Sequence, residues 1–82
     1  MYLEVPAHIE ALGLDFVRLW RDLTAFPTRE EAASKIRIYS ARTLANLDSQ
    51  GRGPAGRLMI ASKVCYPKDE LVMWYAARTK KL

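Results

Sequence analysis

A short helix with two chemically different sides is predicted by the stretch Ser40-Ala41-Arg42-Thr43-Leu44-Ala45-Asn46-Leu47-Asp48-Ser49-Gln50. The Ser40 hydroxyl can cap the first turn, because it can accept a hydrogen bond from an amide that has no partner inside the helix. Leu44 and Leu47 are three residues apart and share one side. Gly51 follows at the position where helices commonly end.

The side opposite the two leucines carries Arg42, Asn46 and Ser49, and it holds no acidic residue. At about 100° per residue, these positions lie roughly 130–170° from the mean direction of the two leucines. Arg and Asn are the side chains best shaped for paired hydrogen bonds to guanine and adenine edges. This pattern fits a DNA recognition helix and an ordinary amphipathic surface helix equally well, and the neighbouring segments favour the first.

The segment before Ser40 predicts a second short helix. It is opened by the capping box Thr28-Arg29-Glu30-Glu31, in which Thr28 caps the first turn and Glu31 reaches back to it. The segment Ile36-Arg37-Ile38-Tyr39 then leads to the Ser40 cap. Two short helices joined by a tight connection form a helix-turn-helix pattern.

The segment after Gly51 predicts a loop and then a hairpin. Residues 51–56 are rich in Gly and Pro, and residues 57–61 and 64–66 are rich in β-forming side chains. We expect Ser62-Lys63 to form the turn, so that Lys63 projects from the hairpin tip toward solvent or phosphate. Pro67 can start a last helix with a basic end at Arg78, Lys80 and Lys81.

That last helix has an apolar stripe of Leu71, Trp74 and Tyr75. We expect Trp74 to be largely buried against the predicted recognition helix, near Leu44 and Leu47.

The first 27 residues predict two more helices. Pro6 can open a helix over residues 7–12 that ends at Gly13, and Asp15 can cap the next one. That second helix has an apolar stripe at helical spacing: Phe16, Leu19, Trp20 and Leu23. The stripe either packs onto the core of its own domain or docks another copy of the protein.

Composition excludes several kinds of site. The 82 residues allow one small domain with a formal net charge of +4. Residues 1–27 carry two basic and four acidic side chains, and the remainder carries eleven basic and five acidic ones, which suggests a polyanionic partner. With Cys65 and His8 the sole residues of their types, we expect no disulfide framework, no metal site and no catalytic triad.

The chain also lacks the marks of a membrane or exported protein. It has no apolar run of about 18 residues and no basic-then-apolar start. We therefore expect a cytoplasmic location and no membrane partner.

Five motifs, in order, resemble the MerR-like winged-helix domains of phage excisionases, also called recombination directionality factors, and related AlpA-like regulators. They are Thr28-Arg29-Glu30-Glu31-Ala32-Ala33, Arg42-Thr43-Leu44, Gly51-Arg52-Gly53-Pro54, Val64-Cys65-Tyr66-Pro67 and Asp69-Glu70-Leu71-Val72-Met73-Trp74. The resemblance covers residues 28 to about 78. Such domains usually have a glycine in the turn before the recognition helix, and this chain has none there.

The resemblance implies a mainly α fold with a small β-hairpin and a winged helix-turn-helix over residues 28–82. Residues 1–27 lie outside the resemblance, and their own pattern predicts an N-terminal helical extension. The resemblance implies that the recognition helix enters the major groove of double-stranded DNA. It also implies that the hairpin, which is called the wing in such domains, touches the adjacent minor groove. We expect DNA contacts from twelve residues: Arg37, Tyr39, Ser40, Arg42, Thr43, Asn46, Ser49, Gln50, Arg52, Arg57, Ser62 and Lys63.

Excisionases bind repeated sites in a phage attachment arm, associate with other copies of themselves and bend the DNA. The bend helps the integrase, a tyrosine recombinase, to excise the prophage in the bacterial cell. The resemblance thus implies a DNA-bending factor that is not an enzyme and needs no cofactor. The alternatives are a small helix-turn-helix transcriptional regulator with the same domain and a protein-interaction module or antitoxin.

Overall fold

The computed structural model describes residues 4–80, and within them the chain forms five helices and one antiparallel hairpin. The elements in chain order are α1 (Ala7–Glu10), α2 (Leu14–Asp22), α3 (Arg29–Ile36), α4 (Ala41–Ser49), β1 (Leu58–Ile60), β2 (Lys63–Cys65) and α5 (Lys68–Ala77). A mainly helical fold with a small hairpin is therefore confirmed. Lys81 and the first three residues of the predicted N-terminal extension lie outside the described residues.

The predicted caps of α3 and α4 are present. Thr28 Oγ1 accepts a hydrogen bond from the Glu31 amide at 3.1 Å, and Ser40 Oγ accepts one from the Thr43 amide at 3.1 Å. The other half of the predicted capping box, in which the Glu31 side chain reaches back to Thr28, is wrong. The Glu31 carboxylate instead accepts from the amide and hydroxyl of Thr24, at 3.0 and 2.9 Å, and so ties the start of α3 to the segment after α2.

The turn between α3 and α4 has a left-handed residue without a glycine. Arg37 ends α3 with a φ of 63°, and its amide donates to the carbonyl of Ala33 at 2.9 Å. Arg37 therefore occupies the position that glycine takes at many helix ends. At the other end of α4, Gly51 has a φ of 71° and ends the helix as predicted.

The first two helices differ from their predicted bounds. Helix α1 ends at Glu10, two residues early, and α2 begins at Leu14. Gly13, with a φ of 113°, is the residue that precedes α2, so Asp15 lies inside the first turn and does not cap it. An acid there still interacts favourably with the positive end of the helix dipole.

One hydrophobic core joins the two ends of the described chain. Its buried side chains come from every helix and from the end of the hairpin: Val5, Ile9, Trp20, Leu23, Ala32, Ile36, Leu44, Tyr66, Leu71 and Val72. Residues on both sides of the predicted domain boundary at residue 27 thus share one core. The boundary stays a prediction, since a shared core does not decide how domains are delimited.

The apolar stripe of α2 is used inside the molecule. Trp20 and Leu23 are buried, and Phe16 and Leu19 are half-buried against the same core, with the Phe16 ring edge-on to Tyr75. The stripe therefore packs onto its own domain, which was one of its two expected uses. Little of it remains to dock a second copy.

Polar contacts fasten α2 and α1 to the start of α5. The Trp20 indole N–H donates to Asp69 Oδ1, and His8 Nε2 lies 3.4 Å from Asp69 Oδ2. The Lys68 ammonium lies 3.5 Å from the centre of the Trp20 ring, in cation–π geometry. Burial lowers the pKa of Lys68, and the neighbouring Asp69 opposes that shift.

The hairpin is displaced by one residue from its predicted turn. Leu58 pairs with Cys65, Met59 with Val64 and Ile60 with Lys63, so the turn residues are Ala61 and Ser62. Both have positive φ, 50° and 70°, as the type I′ turn of a two-residue hairpin requires. Lys63 is therefore a strand residue and does not stand at the tip.

In residues 4–80, no helix combines the length and the apolarity that a bilayer crossing requires. The longest, α5, has ten residues.

Candidate nucleic-acid interface

The outer side of α4 is open to solvent. Arg42 and Asn46 are exposed, and neither side chain hydrogen-bonds to another side chain or to the backbone within residues 4–80. On the opposite side, Leu44 and Leu47 are buried, and α3 packs against the helix. The core thus fixes the orientation of α4 and leaves an arginine and an asparagine free on the side away from it.

Three further hydroxyl residues of the predicted interface already have local partners. Ser40 caps α4, and its hydroxyl also lies 3.1 Å from the Thr43 hydroxyl. The Ser49 hydroxyl donates to the carbonyl of Asn46 at 2.8 Å. These three side chains are exposed, but any contact they made with DNA would have to share or replace these hydrogen bonds.

The two ends of α4 carry the next four predicted residues. Arg37 and Tyr39 precede the helix, and Gln50 and Arg52 follow its last turn. All are exposed except Tyr39, which is half-buried beside Trp74. Two exposed arginines therefore flank the open side of α4, one at each end.

The hairpin region carries the last three predicted residues, Arg57, Ser62 and Lys63, and all three are exposed. Ser62 lies in the turn and Lys63 in β2. Arg57, just before β1, donates from Nη1 to the carbonyl of Asp48 at 3.0 Å. This bond fastens the base of the hairpin to the C-terminal end of α4.

A buried cluster centred on Asp48 joins α3, α4 and the end of the hairpin. Asp48 Oδ2 accepts from Arg29 Nη2 at 2.7 Å and from the Tyr66 hydroxyl at 2.6 Å, and the Asp48 side chain is only 3% exposed. Arg29 Nε also donates to the Tyr66 hydroxyl at 3.1 Å. The cluster connects the start of α3, the end of α4 and the end of the hairpin.

The second oxygen of Asp48 is packed tightly but weakly bonded. Oδ1 accepts no hydrogen bond from the described residues, and Arg57 Nη1 lies 3.7 Å away. A Cβ at Gly53 would collide with this oxygen, so the loop approaches closely only because residue 53 is glycine. Burial raises the pKa of Tyr66 to about 12; its hydrogen bond to Asp48 adds to the shift and Arg29 opposes it.

The sequence did not predict this cluster. Asp48 lies in a helix whose polar residues otherwise face solvent, and its partners are 18 and 19 residues away. The signal that could have revealed it is Asp48 itself, which has no other acid in its helix. It lies just after Leu44 and Leu47 and just before the glycine-rich loop.

Trp74 is not buried as expected. It is half-buried, its ring packs against Tyr39, and its indole N–H donates to the carbonyl of Arg52 at 2.9 Å. Trp74 therefore spans from the residue before the α4 cap to the loop after α4. A tryptophan is seldom fully buried, because its N–H needs a polar partner and its ring is large.

The residue types that bind metals or act as nucleophiles are not clustered in residues 4–80. Within residues 4–80, no group of three or more His, Cys, Asp or Glu side chains is placed to hold a metal ion. Cys65 is a buried thiol at the end of β2.

Comparison with protein-family models, with curated proteins and with solved structures gave no match for this chain.

Proposed function

We propose that this chain is a DNA-binding and DNA-bending protein of the excisionase type, with a winged helix-turn-helix formed by α3, α4 and the hairpin. The observation that carries the proposal is the open side of α4, where Arg42 and Asn46 are exposed and without partners among the described residues. Helix α4 would enter the major groove, and these two side chains would bind base edges.

The arrangement around α4 supports this proposal. The order of helix, tight turn, helix and hairpin suits a winged helix-turn-helix, and the Asp48 cluster ties the hairpin to α4. A wing held at a fixed position can touch the groove next to the one that the helix occupies. Exposed arginines at both ends of α4 can bind phosphates, which position a protein on DNA without reading its sequence.

The proposed action needs no bond-breaking by this chain. By bending attachment-site DNA, the protein would favour the complex in which an integrase excises a prophage. Copies on neighbouring repeats would contact one another head to tail. Since the α2 stripe is packed inside the molecule, that contact would use the excess of acidic residues in the N-terminal segment against the basic remainder.

Selection from random double-stranded DNA, followed by circular permutation of the selected site, tests the proposal. We expect a repeated motif to be enriched and the bound DNA to migrate as a bent molecule. The matched control is selection with the Arg42→Ala, Asn46→Ala variant, which should enrich no motif. Equal enrichment by both proteins would contradict the proposal, and specific binding without bending would favour the transcriptional regulator.

A further inference from the structure

Arg78 is held in one orientation beside the residues that flank α4. It lies just after α5, and its guanidinium carbon is 5.0 Å from the centre of the Trp74 ring and 5.6 Å from that of Tyr39. Its Nε donates to the Tyr39 hydroxyl at 3.2 Å. An exposed arginine is usually free to rotate, whereas this one is fixed by two rings and a hydrogen bond.

The two aromatic residues that hold Arg78, which are Tyr39 and Trp74, contact the two ends of the candidate interface helix. Tyr39 immediately precedes the Ser40 cap of α4, and Trp74 is bonded to the carbonyl of Arg52 in the loop after α4. Tyr39 and Trp74 pack against each other with 5.7 Å between ring centres. Arg78 therefore sits on a support that contacts the chain at both ends of α4.

The geometry leaves one edge of the guanidinium available. The two rings approach the guanidinium, and Nε is used by Tyr39, but Nη1 and Nη2 bond to no other residue within 4–80. A planar guanidinium with its two terminal nitrogens free can bind two oxygens of one phosphate. Because it is already ordered, it loses less conformational entropy on binding than a mobile arginine would.

We propose that Arg78 is a phosphate-binding residue that extends the DNA interface beyond the helix-turn-helix, and that Tyr39 and Trp74 position it. This inference rests on the proposed function, since it assumes that α4 faces DNA. The ligand is a backbone phosphate rather than a base, because Arg78 lies beside Tyr39, the residue before the α4 cap, and not on the outer side of α4 that is proposed to enter the groove. Arg78 should therefore contribute affinity and no sequence preference.

The experiment measures affinity for the selected DNA site at several salt concentrations, using wild type and three variants. Arg78→Gln removes the charge, Arg78→Lys keeps it without the planar fork, and Arg18→Gln removes an exposed arginine on α2 as the matched control. We expect Arg78→Gln to lower the slope of log affinity against log salt by about 1, and the affinity itself about fivefold at 0.15 M salt, on specific and scrambled DNA alike.

The other two variants test whether the planar guanidinium is needed at position 78 and whether the loss of any exposed arginine has the same effect. Arg78→Lys should keep the wild-type salt slope but bind more weakly, because its ammonium cannot stack or pair in the same way. Arg18→Gln should leave both quantities unchanged. Ethylation interference with wild type should identify a phosphate whose modification weakens binding, and that effect should disappear in Arg78→Gln.

Failure of this inference differs from failure of the proposed function. If wild type binds specifically and Arg42→Ala weakens it, but Arg78→Gln keeps the wild-type slope, the Arg78 proposal is overturned alone. If Arg78→Gln loses only the cooperativity between adjacent sites, Arg78 binds a carboxylate of another copy, and the phosphate proposal is again overturned. If wild type selects no DNA at all, both proposals fail.

Discussion

The two sides of α4 differ in what their polar side chains contact. On the inner side, the Asp48 carboxylate is surrounded by Arg29, Tyr66 and Arg57. On the outer side, the Arg42 and Asn46 side chains bond to nothing within residues 4–80. A buried carboxylate needs partners to offset its lost hydration, whereas exposed polar groups remain hydrated at no cost. Inner-side substitutions should therefore reduce stability, and outer-side substitutions should reduce binding.

The largest effect is expected from Asp48→Ala on the inner side. The change removes the shared partner of Arg29 and Tyr66 and leaves both polar groups without it, which should lower the free energy of unfolding by about 3–5 kcal/mol. Denaturant melts can measure the loss. The matched control is Asp22→Ala, since Asp22 is 65% exposed and pairs with Lys35 at the surface, where a pair contributes at most about 1 kcal/mol. Equal losses in the two variants would abolish the distinction between buried and exposed acids.

The same cluster predicts a loss of stability at alkaline pH. The pKa of Tyr66 is about 12 in the folded chain, against 10.0 ordinarily, so the folded state holds the phenol proton more tightly than the unfolded state does. The stability that this provides is complete below pH 10 and is lost as the pH rises toward 12. Unfolding measured through this range should show a steeper decline for wild type than for Tyr66→Phe. Parallel declines would mean that other groups cause the loss.

Arg42→Ala tests the outer side. We expect specific binding to weaken by about 1–3 kcal/mol, because a bidentate contact to guanine is lost. The melting temperature should stay at the wild-type value, since Arg42 has no partner among the described residues. Gel shifts on specific and scrambled DNA measure the first effect, and thermal melts measure the second. An equal loss on both DNAs would make Arg42 a phosphate contact.

The smallest effect separates two residues of the hairpin region. Lys63→Ala should reduce the salt slope of DNA binding by about 1 on all sequences, with unchanged stability. Arg57→Ala should lower both binding and stability, because Arg57 also donates to the Asp48 carbonyl. An unchanged salt slope in Lys63→Ala would mean that the hairpin stays away from DNA.

The sequence predicted the features that depend on neighbouring residues. Thr28 and Ser40 cap their helices, and Gly51 ends α4, because a cap is formed by residues within one helical turn. The open side of α4 was predicted for the same reason, since helical periodicity alone sets which residues share a side. The helix-turn-helix arrangement itself and the twelve DNA contacts stay predictions.

The errors have two physical causes. The hairpin turn was misplaced because Ala61-Ser62 lacks the Asn-Gly or Gly-X pattern that normally marks such a turn, although both residues adopt positive φ. The burial of Trp74 and the role of Asp48 depend on residues far along the chain, which no local pattern reveals. Glu31 likewise found Thr24, seven residues earlier, instead of its neighbour at the helix start.

The packing of α1 and α2 against α5 has a consequence for how the protein is made. Side chains near the start, such as Ile9 and Trp20, find their core partners Leu71 and Val72 about fifty or more residues later. The core therefore cannot close until α5 has left the ribosome, and the first helices must wait for the apolar side chains that α5 supplies. Because contacts so distant in sequence must overcome the entropy of closing a long loop, folding should be a single late event. Refolding kinetics should accordingly show one phase common to Trp20 and Trp74, the two tryptophans that report on the opposite ends of the chain.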